Sequence, residues 1–209
     1  MENPGLRERK KERTRATITR VALQLFARDG FSATTLSAIA EGADVSARTV
    51  STYFPSKEGI VFAAYPDAIQ RLRERLAQRE PGAKVVDTIG EWGRAEASIQ
   101  DDISSAAVRA RAPSGTDFAR LRQVAIARDP ELWALERRHV RAMADIITDA
   151  FARELGIPDD SLVARMAGET TAVALMEANA RAARDDQAFG EALESVLVFI
   201  AGGLSAVGK

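Results

Sequence analysis

The chain has 209 residues, 46% hydrophobic and 28% charged, with a formal net charge of −1. That is enough to bury a core as one large or two small domains, and too near neutral for a generally basic nucleic-acid coat. Cysteine is absent, which excludes disulfides, thiolate metal sites and cysteine nucleophiles and fits a reducing compartment.

The N-terminal stretch MENPGLRERKKERTR lacks the apolar segment of a secretory leader, and no run approaches the roughly 18 apolar residues of a membrane span. The expected location is the cytoplasm, with no membrane partner. Charge is unevenly placed: residues 7 to 20 carry seven Lys or Arg against two Glu. Arg13 and Arg15 in this run are candidate phosphate contacts, since neutralised phosphates release counterions. A first helix is expected from about Glu8 to Asp29, with Ile18, Val21, Ala22, Leu25 and Phe26 inward and Gly30 as its stop.

Residues 35 to 58, TLSAIAEGADVSARTVSTYFPSKE, read as two short helices joined by a tight turn. Thr35 can cap the first, and Leu36, Ile39 and Ala40 share one face. Asp44 stands where the turn needs a residue that tolerates positive φ. Ser46 can cap a second helix from about Ala47 to Phe54, ended by Pro55. Val50 and Phe54 face inward, leaving Ala47, Arg48, Ser51 and Thr52 outward. Small and hydroxyl residues let a helix lie close to base edges, and Arg can pair with guanine O6 and N7. Thr35, Ser46, Thr49, Tyr53 and Lys57 flank this face as further candidates for DNA contact.

The helix ITRVALQLFARDGF, the segment TLSAIAEGADVS and the closing stretch TVSTYFPSKEGI together resemble the TetR family of one-component bacterial regulators. Asp44 replaces a common Gly, and Ser51 a common Tyr. The resemblance implies an N-terminal helix-turn-helix domain, expected over residues 1–55, and a C-terminal ligand-binding and dimerisation domain over 56–209.

A fourth helix is expected after Ser56, running toward Arg79 with Ile60, Ala64, Ile69, Leu72 and Leu76 inward and a kink at Pro66. Further helical patterns cover 84–106, about 116–128, 131–155, 160–183 and 187–206, with breaks at 112–117, 129–130, 156–160 and 184–187. On the helix at 84–106, Val85, Ile89, Trp92, Ile99 and Ile103 share the inward side. The fold class is all-α, about nine helices. The last two helices have wide apolar faces that either pack within one subunit or form a four-helix dimer interface; the family resemblance favours the homodimer.

Trp92, Phe118, Trp133, Met143 and Met166 could line an apolar cavity or be simple core. Thr170 could orient a ligand or pair across a dimer. His139, the single histidine, could bond a ligand or be a satisfied core residue. The segment RLRQVAIARDPELWALERRHVRAMADIITDAFARELGI, with the following MAGETTAVALMEANARA, resembles regulators of the MftR type and implies an acyl-CoA-like or other hydrophobic effector. No metal or other cofactor is expected. The terminal GLSAVGK has phosphate-loop spacing but lacks the following Ser or Thr and a preceding strand. Enzyme signatures such as the G-x-S-x-G elbow and H-E-x-x-H are missing, so the chain is expected not to be an enzyme.

The expected protein is a DNA-binding transcriptional regulator, a repressor released from a palindromic double-stranded operator by a small molecule. Two alternatives remain. One is an all-α ligand-binding or adaptor protein without sequence-specific DNA binding. The other is a helical enzyme that acts through His139 or a buried carboxylate.

Overall fold

The computed structural model describes residues 4–109, 115–185 and 189–207, and over these it forms ten helices and no strand. The expected breaks at 112–117 and 184–187 lie partly outside the described residues. Two compact units divide the chain: one takes in the chain up to Ala63 together with Asp117–Leu135, the other Ala64–Thr116 and the chain from Glu136 onward.

In the first unit, α1 (Pro4–Asp29) starts about a turn earlier than the pattern suggested, and Gly30 ends it at φ 91°. Its buried stripe includes Ile18, Val21, Ala22 and Phe26, and also Leu23, which the periodicity missed. Against α1 pack α2 (Leu36–Gly42) and α4 (Lys57–Val61), while α3 (Ala47–Tyr53) packs on α2. Val50 and Phe54 are buried as their spacing required. Also belonging to this unit are α7 (Gly115–Arg128), from Asp117 on, and the first residues of α8 (Pro130–Leu155).

The single kinked helix expected from Ser56 to Arg79 is instead two helices, α4 and α5 (Tyr65–Ala77). Proline has no N–H to donate and disfavours helical geometry in the residue before it, so Pro66 sits in a helix's first turn rather than in its middle. Ser56 does cap α4, accepting from the Gly59 amide at 3.1 Å. Ala64 lies at the break and is exposed, contrary to its expected inward place.

The second unit is built from α5, α6 (Val85–Arg109), the remainder of α8, α9 (Leu162–Asp185) and α10 (Phe189–Val207). Leu72, Val85, Ile89, Trp92, Ile147 and Phe151 are among the residues of its core. Ile99, assigned to the inward side of α6, is 38% exposed. The Glu154 carboxylate accepts from Arg79 Nη1 at 2.8 Å and from the Val85 amide at 2.6 Å, placing negative charge at the N-terminus of α6 where the helix dipole favours it. Gly202 and Gly203 fall inside α10, so the first glycine of GLSAVGK is helical; Gly208 lies outside the described residues.

Candidate nucleic-acid interface

Local side-chain chemistry fixes α2 and α3, the two helices of the expected helix-turn-helix. Thr35 Oγ1 accepts from the Ala38 amide at 3.1 Å, satisfying a donor in the first turn of α2. At the other end Asp44 adopts φ 53°. The Asp44 amide bonds Glu41 O at 3.2 Å and the Val45 amide bonds Ala40 O at 3.0 Å, the paired bonds of a Schellman turn with Asp44 in the left-handed position. Aspartate tolerates that conformation better than most residues with a Cβ, so it can stand where glycine is common. Ser46 then accepts from the Thr49 amide at 3.0 Å and caps α3.

On α3, Ala47, Arg48, Ser51 and Thr52 are all exposed. Ser51 Oγ donates to Ala47 O at 3.2 Å and Thr52 Oγ1 to Arg48 O at 2.8 Å. A hydroxyl that donates its proton back to the helix keeps its lone pairs outward. Both residues therefore present acceptors, suited to the amino groups of adenine or cytosine. Thr49 is half-buried and its hydroxyl lies 2.8 Å from that of Ser46, making it part of the cap rather than of the outer face. Tyr53 is half-buried at the end of α3. On α1, Arg13 is exposed, and the Arg15 guanidinium lies 4.7 Å from the centroid of the Phe54 ring.

Lys57 has an internal role that its spacing did not reveal. Its ammonium donates to Phe31 O at 2.7 Å and Thr34 O at 2.9 Å and sits 4.4 Å from the centroid of the Phe31 ring. Two of its three donors thus hold the loop between α1 and α2. A phosphate contact has to compete with these bonds.

Sequence reasoning missed the segment 128–131. Asp129 Oδ2 accepts from the Phe31 amide at 3.1 Å, and Arg128 Nη1 donates to Ala27 O at 2.8 Å. The Asp129-Pro130 pair does signal a helix start, and Asp129 Oδ1 does cap α8, accepting from Glu131 N at 2.9 Å. Nothing local to it announces a partner 98 residues earlier.

The seven ligand candidates are divided between the two units. Phe118 and Trp133 belong to the first unit, with Phe118 half-buried and Trp133 exposed. Trp92 and Met143 are packed in the core of the second unit, Trp92 Nε1 donating to Ala68 O at 3.0 Å. Met166 and Thr170 are exposed on α9; the neighbouring Thr171 is the buried one, donating to Ala167 O at 2.6 Å. His139 is half-buried, its ring edge-on to Tyr65 at 5.2 Å. Burial and the nearby Arg138 hold the His139 imidazole below its ordinary pKa of 6.5. An open groove formed by Asp149, Arg153, Ile157 and Asp159 near the C-terminal end of α8 includes none of these residues. Among the described residues no group of three or more His, Cys, Asp or Glu is placed to hold a metal ion, and no helix is long and apolar enough to cross a membrane.

Residues 18–64 match the family model described as bacterial regulatory proteins, tetR family. The HTH-type transcriptional regulator TcmR of Streptomyces glaucescens is 47% identical over 57 residues. That match spans 27% of this chain and only 25% of the relative. Among solved structures, Thermus thermophilus FadR, a TetR family transcriptional repressor in complex with lauroyl-CoA, is 25% identical with a TM-score of 0.50 over 90% of this chain and 93% of that one. NalD of Pseudomonas aeruginosa, the secondary repressor of the MexAB-OprM multidrug efflux pump, shares the fold with a TM-score of 0.60 at 18% identity, over 92% of this chain and 97% of its own. The capped helix pair, its left-handed turn and the matched residues agree: residues 18–64 are similar to the tetR family of bacterial regulatory proteins.

Proposed function

We propose that the protein is a cytoplasmic, homodimeric transcriptional repressor that reads a palindromic operator with α3 and is released from it by a small-molecule effector, acyl-CoA-like or otherwise hydrophobic. The observation that carries the reading is the outer face of α3: Ala47, Arg48, Ser51 and Thr52 are exposed together on a helix fixed at its start by Ser46 and at its approach by Asp44. Small side chains allow close approach to the floor of a major groove, and one guanidinium with two outward hydroxyls supplies donors and acceptors for base edges. Arg13 at the flank supplies phosphate attraction without sequence preference. Exposed apolar residues on α9 and α10 support the dimer, and two-fold symmetry then sets half-sites about 34 Å apart or slightly more. The lauroyl-CoA held by the Thermus repressor and the MftR-like C-terminal segment support the effector class. An effector that binds better to a dimer with mismatched reading heads lifts repression by population shift.

Selection of bound duplexes from a random library at two salt concentrations tests the proposal. The native chain is expected to enrich a palindrome that it binds more weakly at the higher salt. Arg48→Ala is expected to lose about 1 to 3 kcal/mol and to relax preference at one position per half-site. Equal weakening on every sequence would reassign Arg48 to a phosphate. Lauroyl-CoA, titrated into the complex with the selected duplex, is expected to release it. No enrichment after unfolding, ligand removal and refolding would favour the ligand-binding or adaptor alternative.

A further inference from the structure

We propose that Asp129, well outside residues 18–64, is a positioning residue for DNA reading: its carboxylate clamps the α1–α2 loop to the N-terminus of α8 and so sets where α2 begins. The two oxygens divide the work. Oδ1 accepts from the amides of Glu131 at 2.9 Å and Leu132 at 3.3 Å, capping α8, while Oδ2 accepts from the Phe31 amide at 3.1 Å. Phe31 is 2% exposed, its ring tilted against Phe26 at 5.1 Å and overlain by the Lys57 ammonium. Other polar groups of this loop are tied down within it or by Lys57: Thr34 Oγ1 donates to Gly30 O at 2.8 Å, and the carbonyls of Phe31 and Thr34 take the two Lys57 bonds. Thr35, the cap of α2, follows directly, and α2 carries α3. Arg128 Nη1 on Ala27 O, 2.8 Å, and the longer Ser32 Oγ to Glu131 Oε2 contact, 3.4 Å, come from the same short segment. Three residues of one short segment, Arg128, Asp129 and Glu131, thus grip the end of α1 and the loop after it. Without Oδ2 the Phe31 amide loses its acceptor, and from the α8 side the loop that fixes the start of α2 keeps only the longer Ser32–Glu131 contact.

The proposal rests on the DNA-reading function proposed above, and the Asn variant separates the two jobs of the carboxylate. Asparagine caps helices as well as aspartate does, but its amide has a single acceptor oxygen and turns an N–H toward the other partner. In the full-length chain, Asp129→Asn is expected to keep the melting temperature near that of the native protein. It should speed hydrogen exchange selectively at the amides of residues 30–36. Affinity for the selected duplex should fall roughly five- to tenfold, the scale of one lost hydrogen bond. Asp129→Ser, whose hydroxyl caps α8 but is too short to bridge, is expected to behave alike. Unchanged exchange at 30–36 with unchanged affinity would overturn the proposal. So would a loss of affinity that only tracks global unfolding in both variants, because the residue would then be merely structural. If the native chain selects no sequence, the DNA-reading function fails; the exchange measurement still decides whether Asp129 holds the loop.

Discussion

His139 shows how one residue's surroundings translate into a measurable dependence on pH. The imidazole is half-buried, edge-on to Tyr65, with Arg138 beside it and Glu136 one turn away accepting from Tyr65 Oη at 3.2 Å. Burial first, and the Arg138 charge second, favour the neutral ring and lower its folded pKa from 6.5. The unfolded chain then binds the proton more readily than the folded one. Stability from this site is complete above about pH 6.5 and falls as pH drops toward the lower, folded value, because protonation favours the unfolded state. Below the folded value the site contributes no further slope. Since the chain has no other histidine, His139→Gln should flatten the melting temperature between pH 7.5 and pH 5.5, where the native chain's falls. Equal pH dependence in the two proteins would place the ring in water in solution.

At the scale of elements, what matters is how closely two helices can cross. Gly168 on α9 lies so near α8 that an added Cβ would stand 2.0 Å from Thr148 Oγ1, 2.7 Å from Thr148 N and 2.8 Å from Ala144 O. Alanine at this position gains helix propensity worth about 1 kcal/mol, yet it drives a methyl group into backbone atoms that no rotamer change can move aside. Overpacking of this kind costs about 1 to 3 kcal/mol, so the clash should win. Gly168→Ala is expected to lower the melting temperature, read by calorimetry or circular dichroism, whereas a rise would mean that α8 and α9 separate easily. Signals confined to a few residues were legible in the sequence: the caps at Thr35, Ser46 and Ser56, the left-handed Asp44 and the stop at Gly30 each depend on chemistry within about five positions. The break at Pro66 was half legible, since proline announces an interruption without saying whether a helix bends or ends. Illegible were the pairings that the fold makes at a distance. Lys57 points back to Phe31 and Asp129 reaches across 98 residues, and neither has a local mark. The roles of the ligand candidates were illegible for a related reason: an aromatic or methionine at helical spacing fits a core, a surface stripe or a cavity equally well, and only packing chooses.

At the scale of the whole molecule, the exposed apolar residues of the last two helices bear on assembly. Leu162, Met166 and Val173 recur along α9 at helical spacing and are 73%, 57% and 53% exposed, while Val198 and Phe199 on α10 are 72% and 66% exposed. The two helices already pack against each other on other faces, so these side chains are what the pair has left to bury. Covering a large apolar side chain is worth about 1.5 to 3 kcal/mol. Five on each of two subunits, discounted for partial prior burial, give on the order of 15 kcal/mol, at or above the roughly 4 to 15 kcal/mol that association costs. The proposed two-fold related pair, forming a four-helix bundle, would cover both stripes at once. Replacing Val198 and Phe199 together by glutamate places two charges per subunit in that seam, where desolvation opposes pairing. Sedimentation should then find the native chain dimeric and the double variant monomeric and still folded. The monomer should bind a single half-site weakly and lose the advantage of the palindrome, because the second reading head no longer arrives with the first. A variant that remains dimeric with native operator affinity would move the interface off α10, and the exposed apolar stripe would then need another occupant.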